Sequence, residues 1–225
     1  MSVIFTPNAK FWFYGRDDSP TDHLVIKETW VENVYQIVRK DLDDTGILVD
    51  IGANIGAVSI WAAALNDDLE KPVVKVFAVE PEPDNLNVLR ANISRNGARD
   101  FITVCPYAIT DHGKDVFITN HHGDSRLTWS DTGTKVPSMR LIDFFDNNGI
   151  TYVDVLKMDI EGSEYEIIED ADEDTLKKIR YLTMEFDAAD DEKFGRLITK
   201  LAKHFQIHTL GSPERGGYLY CRRYD

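Results

Sequence analysis

Apolar and polar positions along the chain fall into short runs that switch between the period of a strand and the period of a helix. Leu48-Val49-Asp50-Ile51 is a strand-like run that passes through a Gly52-x-x-x-Gly56 turn into an Ala-rich stretch, Ala57 to Leu65. This predicts a buried strand, a sharp turn and a helix, with the glycines letting the backbone approach a ligand at the strand's carboxyl end. Val73 to Val79 predicts a second strand, ended by Glu80 and stopped by Pro81 and Pro83. Leu86, Leu89, Arg90 and Ile93 then carry a helix to Asn96-Gly97, a helix-ending pair. Phe101 to Ala108 reads as a third strand. Tyr152 to Met158 is a fourth, running into Asp159-Ile160-Glu161-Gly162 and a helix through Tyr165, Ile167 and Ile168. Tyr181 to Met184 is a fifth, closed by Glu185-Phe186-Asp187 and followed by a helix over Phe194 to Phe205. Gln206 to Leu210 and Tyr218 to Cys221 flank a Gly-rich connection, the signature of an antiparallel hairpin. Alternating strands and helices argue for a parallel sheet with right-handed crossovers. With the hairpin added, the expected architecture is α/β with a seven-stranded mixed sheet.

Two regions interrupt the alternation. Residues 1 to 45 are irregular and are expected to form an N-terminal cap on a core of residues 46 to 225. Within them lie the aromatic cluster Phe11-Trp12-Phe13-Tyr14, the turn Asp17-Asp18-Ser19-Pro20, and Trp30, Val34, Ile37 and Val38 at helical spacing. That spacing predicts an amphipathic helix packed on the sheet, from which Asn33 and Tyr35 can face a ligand. Between residues 110 and 150, Val116-Phe117-Ile118 predicts a short edge strand and Asn120 to Pro137 a polar loop, before Leu141, Phe144 and Phe145 resume helical spacing. A loop of that length inside a compact domain is usually functional or disordered. The stretch from Asn120 to Ser130 is expected to contact a substrate and to be mobile without it. His121 and His122 in this loop are candidate general bases, because imidazole titrates near neutral pH.

Composition narrows the classes. A chain of 225 residues that is 43% hydrophobic can bury one sizeable core, so one domain is expected. No apolar run approaches the ~20 residues that span a bilayer. The start, Met1-Ser2-Val3-Ile4-Phe5, has no basic lead or apolar signal region. Cys105 and Cys221 match neither a disulfide framework nor a zinc motif and read as buried thiols. A formal charge of −14 repels phosphate backbones and argues against a nucleic-acid partner. A cytoplasmic protein without a membrane segment is expected.

The strand ends carry the chemistry. Ligands on an open α/β sheet bind outside the carboxyl ends of the strands. Four strands here end in acids: Asp50, Glu80, Asp159 with Glu161, and Glu185 with Asp187. An acid at the end of the second strand can accept both hydroxyls of a ribose. The turn lacks the third glycine of the dinucleotide fingerprint, so a nucleoside with a positive centre and no pyrophosphate suits it better. If the other strand ends converge, Asp159, Glu161 and Glu185 share a small space and their charges must be met. A hard cation such as magnesium, held by those three carboxylates, is one solution. A raised pKa on one acid, making it a base near neutral pH, is the other. In the purely structural alternative, Asp159 caps a helix and Glu161 binds the amides around Gly162.

Val49-Asp50-Ile51-Gly52-Ala53-Asn54-Ile55-Gly56 resembles the first motif of class I S-adenosylmethionine-dependent methyltransferases, and Glu80 resembles their ribose-binding acid. More narrowly, the chain is similar to the FkbM family of methyltransferases. The likeness lies in Val79-Glu80-Pro81, in Leu89-Arg90-Ala91-Asn92 with Asn96-Gly97, and above all in Leu156-Lys157-Met158-Asp159-Ile160-Glu161-Gly162-Ser163-Glu164. It covers roughly residues 45 to 187. The resemblance implies a single Rossmann-like class I methyltransferase domain that uses S-adenosylmethionine. Asp50, Gly52, Ala53, Asn54, Gly56, Glu80, Pro81, Ala108 and Asp159 would then surround the donor, with Asp159, Glu161 and Glu185 at the transfer point. It also implies O-methylation of a hydroxyl on a small molecule or glycan. A catalytically silent donor-binding protein and an NAD-dependent oxidoreductase stay open as alternatives.

Overall fold

The computed structural model describes residues 1–7, 10–67, 73–121, 124–128 and 133–224, with side chains from 120 to 132 left out. The chain opens with a small antiparallel pair, β1 (Ser2–Phe5) and β2 (Trp12–Gly15), then α1 (Pro20–Lys27), a π-helical turn (Glu28–Glu32) and a 3₁₀ turn (Arg39–Leu42). The main sheet begins with β3 (Ile47–Ile51), α2 (Ala57–Ala64), β4 (Lys75–Val79), α3 (Pro83–Arg95) and β5 (Ile102–Cys105). Four short strands follow, β6 (Ala108–Ile109), β7 (Val116–His121), β8 (Asp124–Thr128) and β9 (Thr134–Val136), with β10 (Ser138–Met139) returning to pair with β6. The sheet resumes through α4 (Leu141–Asn147), β11 (Val153–Met158), α5 (Glu164–Asp170), α6 (Glu173–Lys177), β12 (Ile179–Phe186) and α7 (Asp191–Leu201), and closes with β13 (Phe205–Ser212) and β14 (Gly216–Arg223).

The expected seven-stranded mixed sheet is present, in the order β13-β14-β12-β11-β3-β4-β5. Its first five strands in sequence run parallel, and β14 runs antiparallel to both of its neighbours. Strand order reverses between β3 and β11. Ligands on such sheets sit outside that switch point. The near-continuous apolar runs have their physical reason here: Leu48, Val49, Val155, Leu156 and Leu182 are all fully buried between helical layers on both faces.

The N-terminal segment differs from expectation. The helix starts at Pro20, in the first-turn position that proline favours, and ends before Asn33, so no helix spans Trp30 to Val38. Asn33 and Gln36 take positive φ values of 47° and 52°, which breaks the helical path. The Asn33 amide closes this turn on itself by bonding the Ile37 backbone at both its N–H and its carbonyl. The segment is pinned to α3 by side chains from the quoted Leu89–Gly97 run. Buried Asn92 accepts from the Tyr14 N–H (2.7 Å) and donates to the Tyr14 and Ile55 carbonyls. Asn96 bonds both backbone groups of Trp12. Residues 110 to 150 also differ: the polar stretch contributes to a three-stranded antiparallel sheet, with β7 between β8 and β9. Val116, Ile118 and Val136 bury one face of it, the alternation that a half-buried sheet requires.

Candidate active site

A cavity opens at the carboxyl ends of β3, β4, β11 and β12, and α1 with the turn after it closes one side. Its floor is the glycine turn. Gly52 has φ +79°, and a side chain there would collide with the Asp159 carbonyl. Substitution would therefore break the β3–β11 junction itself, rather than only fill the space of a ligand. The N–H groups of Gly52 and Ala53 both donate to the Val79 carbonyl (3.0 Å each), which hangs the turn from the neighbouring strand. Asn54, at φ +49°, donates its N–H to Glu80 Oε2 (2.8 Å). Glu80 Oε1 accepts from the Glu82 N–H and the Asn85 amide. Burial pushes the Glu80 carboxyl up to about 7, against the pull of these hydrogen bonds.

Gly52, Ala53, Asn54, Glu80, Pro81, Ala108 and Asp159 all line the cavity. Asp50 and Gly56 do not. Asp50 is fully buried beneath the floor, where its Oδ2 accepts from the Ser59 hydroxyl (2.7 Å) and its Oδ1 lies 3.2 Å from Lys157 Nζ. Asp50, expected beside the donor, thus meets a cation of the chain itself. Gly56, with φ +93°, leads into α2, and a Cβ there would press on Leu89 at 2.6 Å. Its role is to let α2 and α3 pack closely.

At the other end of the cavity Asp159, Glu161 and Glu185 come together with Glu28 of the N-terminal segment. Asp159 Oδ2 accepts from the Tyr35 hydroxyl (2.6 Å) and lies 3.7 Å from Lys157 Nζ. Lys157 also donates to the Gly52 carbonyl (2.8 Å). Burial works to discharge that ammonium, but Asp50 and Asp159 outweigh it and the lysine stays charged. Burial, then the charges of Asp159, Glu161 and Glu28, push Glu185 up to about 8. Burial and Asp159 raise Glu28 in the same sense. Among the described residues, no group of three His, Cys, Asp or Glu is spaced to hold a metal ion. Asp159, Glu161 and Glu185 share a cavity without forming the expected magnesium ligand set. Of the two expected solutions to their repulsion, burial and mutual charge favour a raised carboxyl on Glu185, with the Lys157 ammonium pulling the other way.

The structural alternative for the β11–α5 turn is realised by a different acid. Glu164, not Glu161, holds that turn, accepting from the Ile160 N–H (2.8 Å) and the Gly162 N–H (2.9 Å). Asp159 caps no helix; it faces the cavity. Of the two ligand-facing candidates in the N-terminal segment, Tyr35 lines the cavity, and the Asn33 side chain is spent on its own turn. His121 closes β7 opposite Asp124, its side chain lies outside the described residues, and His122 lies outside them entirely. The same strand sends Ile118 into the cavity wall, beside Tyr107, Ala108 and Ile109. Sequence reasoning gave no role to Lys157 or Glu28. Lys157 stands inside the most specific run of the chain and Glu28 stands two residues before Trp30, but Asp50 beside Lys157 and Asp159 near Glu28 are distant in sequence.

A family model described as the methyltransferase FkbM domain matches residues 50–220. The chain is 24% identical over 197 residues to methyltransferase sdnD of Sordaria araneosa, covering 72% of this chain and 73% of that protein. It is 23% identical over 214 residues to the 31-O-demethyl-FK506 methyltransferase FkbM of Streptomyces tacrolimicus, covering 80% of each. Among solved structures, methyltransferase FkbM from Methylobacillus flagellatus KT superposes with a TM-score of 0.53 at 18% identity, over 92% of this chain and 56% of that one. The family match takes in the glycine turn, Glu80 and the acids after β11 and β12, and it spans most of the sheet: this chain belongs to the FkbM family of methyltransferases.

Proposed function

We propose that the protein is an S-adenosylmethionine-dependent O-methyltransferase acting on a hydroxyl of a small molecule or sugar. The observation that carries this reading is the sharing of one cavity by the Gly52–Asn54 turn with Glu80 and by Asp159 with Glu185. The donor-side residues fit a nucleoside sulfonium. Glu80 offers a buried carboxylate to a ribose. Asn54 Oδ1 is buried with no hydrogen-bond partner among the described residues, an acceptor left for a ligand's N–H or O–H. Tyr107, Ala108, Ile109 and Ile118 give the flat apolar wall that an adenine needs.

When bound, S-adenosylmethionine supplies an electrophilic methyl group. The chain's own residues hold donor and acceptor in line, which by itself lowers much of the barrier to a displacement. They also receive the proton of the acceptor hydroxyl. Asp159, tied at one oxygen by Tyr35, and Glu185, raised to about 8, are the groups placed to accept it. No step is assigned to a metal. The acids of the acceptor end favour uncharged or cationic acceptors and repel phosphate and carboxylate compounds, in keeping with a small-molecule partner rather than a nucleic acid. We place the protein in the cytoplasm, which suits its two buried, unpaired thiols.

Titration calorimetry with S-adenosylhomocysteine and with NAD, followed by a methyl-release assay over a panel of hydroxyl compounds, tests the reading. Binding of S-adenosylhomocysteine and turnover of a neutral hydroxyl compound are expected. Binding without turnover on any compound would favour the silent donor-binding alternative, and preference for NAD would overturn the donor assignment.

A further inference from the structure

The N-terminal segment lies outside the residues matched to the family, yet it reaches the reacting end of the cavity. Beside Glu28, its contact there is Tyr35. The side chain is 5% exposed, its hydroxyl donates to Asp159 Oδ2 at 2.6 Å, and its ring meets Tyr218 edge-on at 6.0 Å. The Lys157 ammonium lies 5.1 Å from the centre of the same ring.

The backbone that presents Tyr35 is fixed from several directions. The Tyr181 hydroxyl donates to the Tyr35 carbonyl (2.9 Å), and the Tyr220 hydroxyl donates to the Val34 carbonyl (2.7 Å). The Val34 N–H donates to the Glu28 carbonyl (3.1 Å). The Asn33 amide then locks the left-handed turn by bonding Ile37 on both backbone groups. Two tyrosines from separate sheet strands and an internally capped turn thus converge on one residue. Holding a turn with two positive-φ non-glycine residues costs free energy, and it persists because these bonds over-determine it. All of them place one hydroxyl on one carboxylate oxygen.

We propose that Tyr35 is a positioning residue for Asp159. Its hydroxyl fixes Asp159 Oδ2 and leaves the other carboxylate oxygen to the acceptor, which makes the N-terminal segment a working part of the active site. The consequence for charge is consistent. Burial and the nearby Asp159 charge push the Tyr35 hydroxyl well above its ordinary range, so it stays protonated and remains a donor at any working pH. This inference rests on the methyltransferase reading above.

The Tyr35→Phe variant removes the hydroxyl and keeps the ring, and crystal structures of wild type and Y35F with S-adenosylhomocysteine test the proposal. S-adenosylhomocysteine affinity is expected to agree within about twofold between the two, since no donor-side hydrogen bond is lost. Asp159 is expected in a single rotamer bonded to Tyr35 in wild type and turned or spread over several in Y35F. With a neutral hydroxyl compound that wild type turns over, kcat of Y35F should fall roughly ten- to a hundredfold at unchanged donor KM. The same change should cost almost nothing further in an Asp159→Asn background. An Asp159 carboxylate that keeps its wild-type rotamer in Y35F overturns the proposal even if donor binding is intact. Failure of wild type to bind S-adenosylhomocysteine would instead overturn the donor reading beneath it.

Discussion

The residue that sits closest to the proposed chemistry, Asp159, was legible as an acid at a strand end, and its surroundings define a sharp expectation. Asp159→Ala should lower turnover by ~10²–10⁴-fold and leave the affinity for S-adenosylhomocysteine within a few-fold, measured by steady-state kinetics beside calorimetry. Near-normal turnover would remove Asp159 from the reaction. Glu80 predicts a pH dependence at the donor end. Ribose hydroxyls need an ionised acceptor, and burial holds this carboxyl at about 7, so donor affinity should weaken as pH falls below 7 and level off above it. Glu80→Gln should bind roughly ten- to a hundredfold more weakly and flatten that profile. A pH-independent wild-type affinity would speak against Glu80 as the ribose acid. Gly52 and Glu80 were readable because turn geometry and strand-end position are local properties of sequence. Asp50 lies beneath the cavity, and its partner there is not local. Lys157 faces it across the β3–β11 pairing, and only the strand order brings the two side by side.

At the scale of elements, the parallel strands, the helix Pro83–Arg95 and the C-terminal hairpin could all be read from periodicity and end signals. Two elements could not. The helix expected over Trp30–Val38 lies earlier, because Ser19-Pro20 starts it and Asn33 and Gln36 end it, and such φ reversals leave almost no trace in apolar spacing. The polar stretch after Ile118 carries strands of a small antiparallel sheet because its pairing partners, not its composition, decide its structure. How the first segment is attached can be tested at Asn92. Its side chain is fully buried and bonds three backbone groups, Tyr14 N–H, Tyr14 C=O and Ile55 C=O. Asn92→Ala strands these groups and should cost about 2–4 kcal/mol in urea denaturation. A loss well under 1 kcal/mol would mean that β2 does not depend on this anchor.

For the whole molecule, two buried carboxyls and one half-buried one set an unusual response to pH. Burial raises Glu80 and Glu164 to about 7, and burial with the neighbouring acids raises Glu185 to about 8, against an ordinary glutamate value of 4.5. Between those values the folded chain holds protons that the unfolded chain has released, so rising pH favours unfolding. Without ligand, stability should fall between about pH 5 and pH 8, and Glu185→Gln should reduce the slope of denaturation midpoint against pH. A midpoint that rises across this range would contradict the burial of these acids. The anchoring of the N-terminal segment has a consequence for how acceptor choice can change. Arg16 bonds Asn85, Tyr14 bonds Asn92 and Trp12 bonds Asn96, so these three ties are sockets along one face of α3 and its cap, and Tyr181 and Tyr220 offer two more from the sheet. Residues 11–38 therefore behave as a cassette seated on fixed fittings. A different cassette that keeps the fittings would bring a new wall to the acceptor while the donor pocket stays as it is, which gives evolution, or an engineer, a single part to exchange.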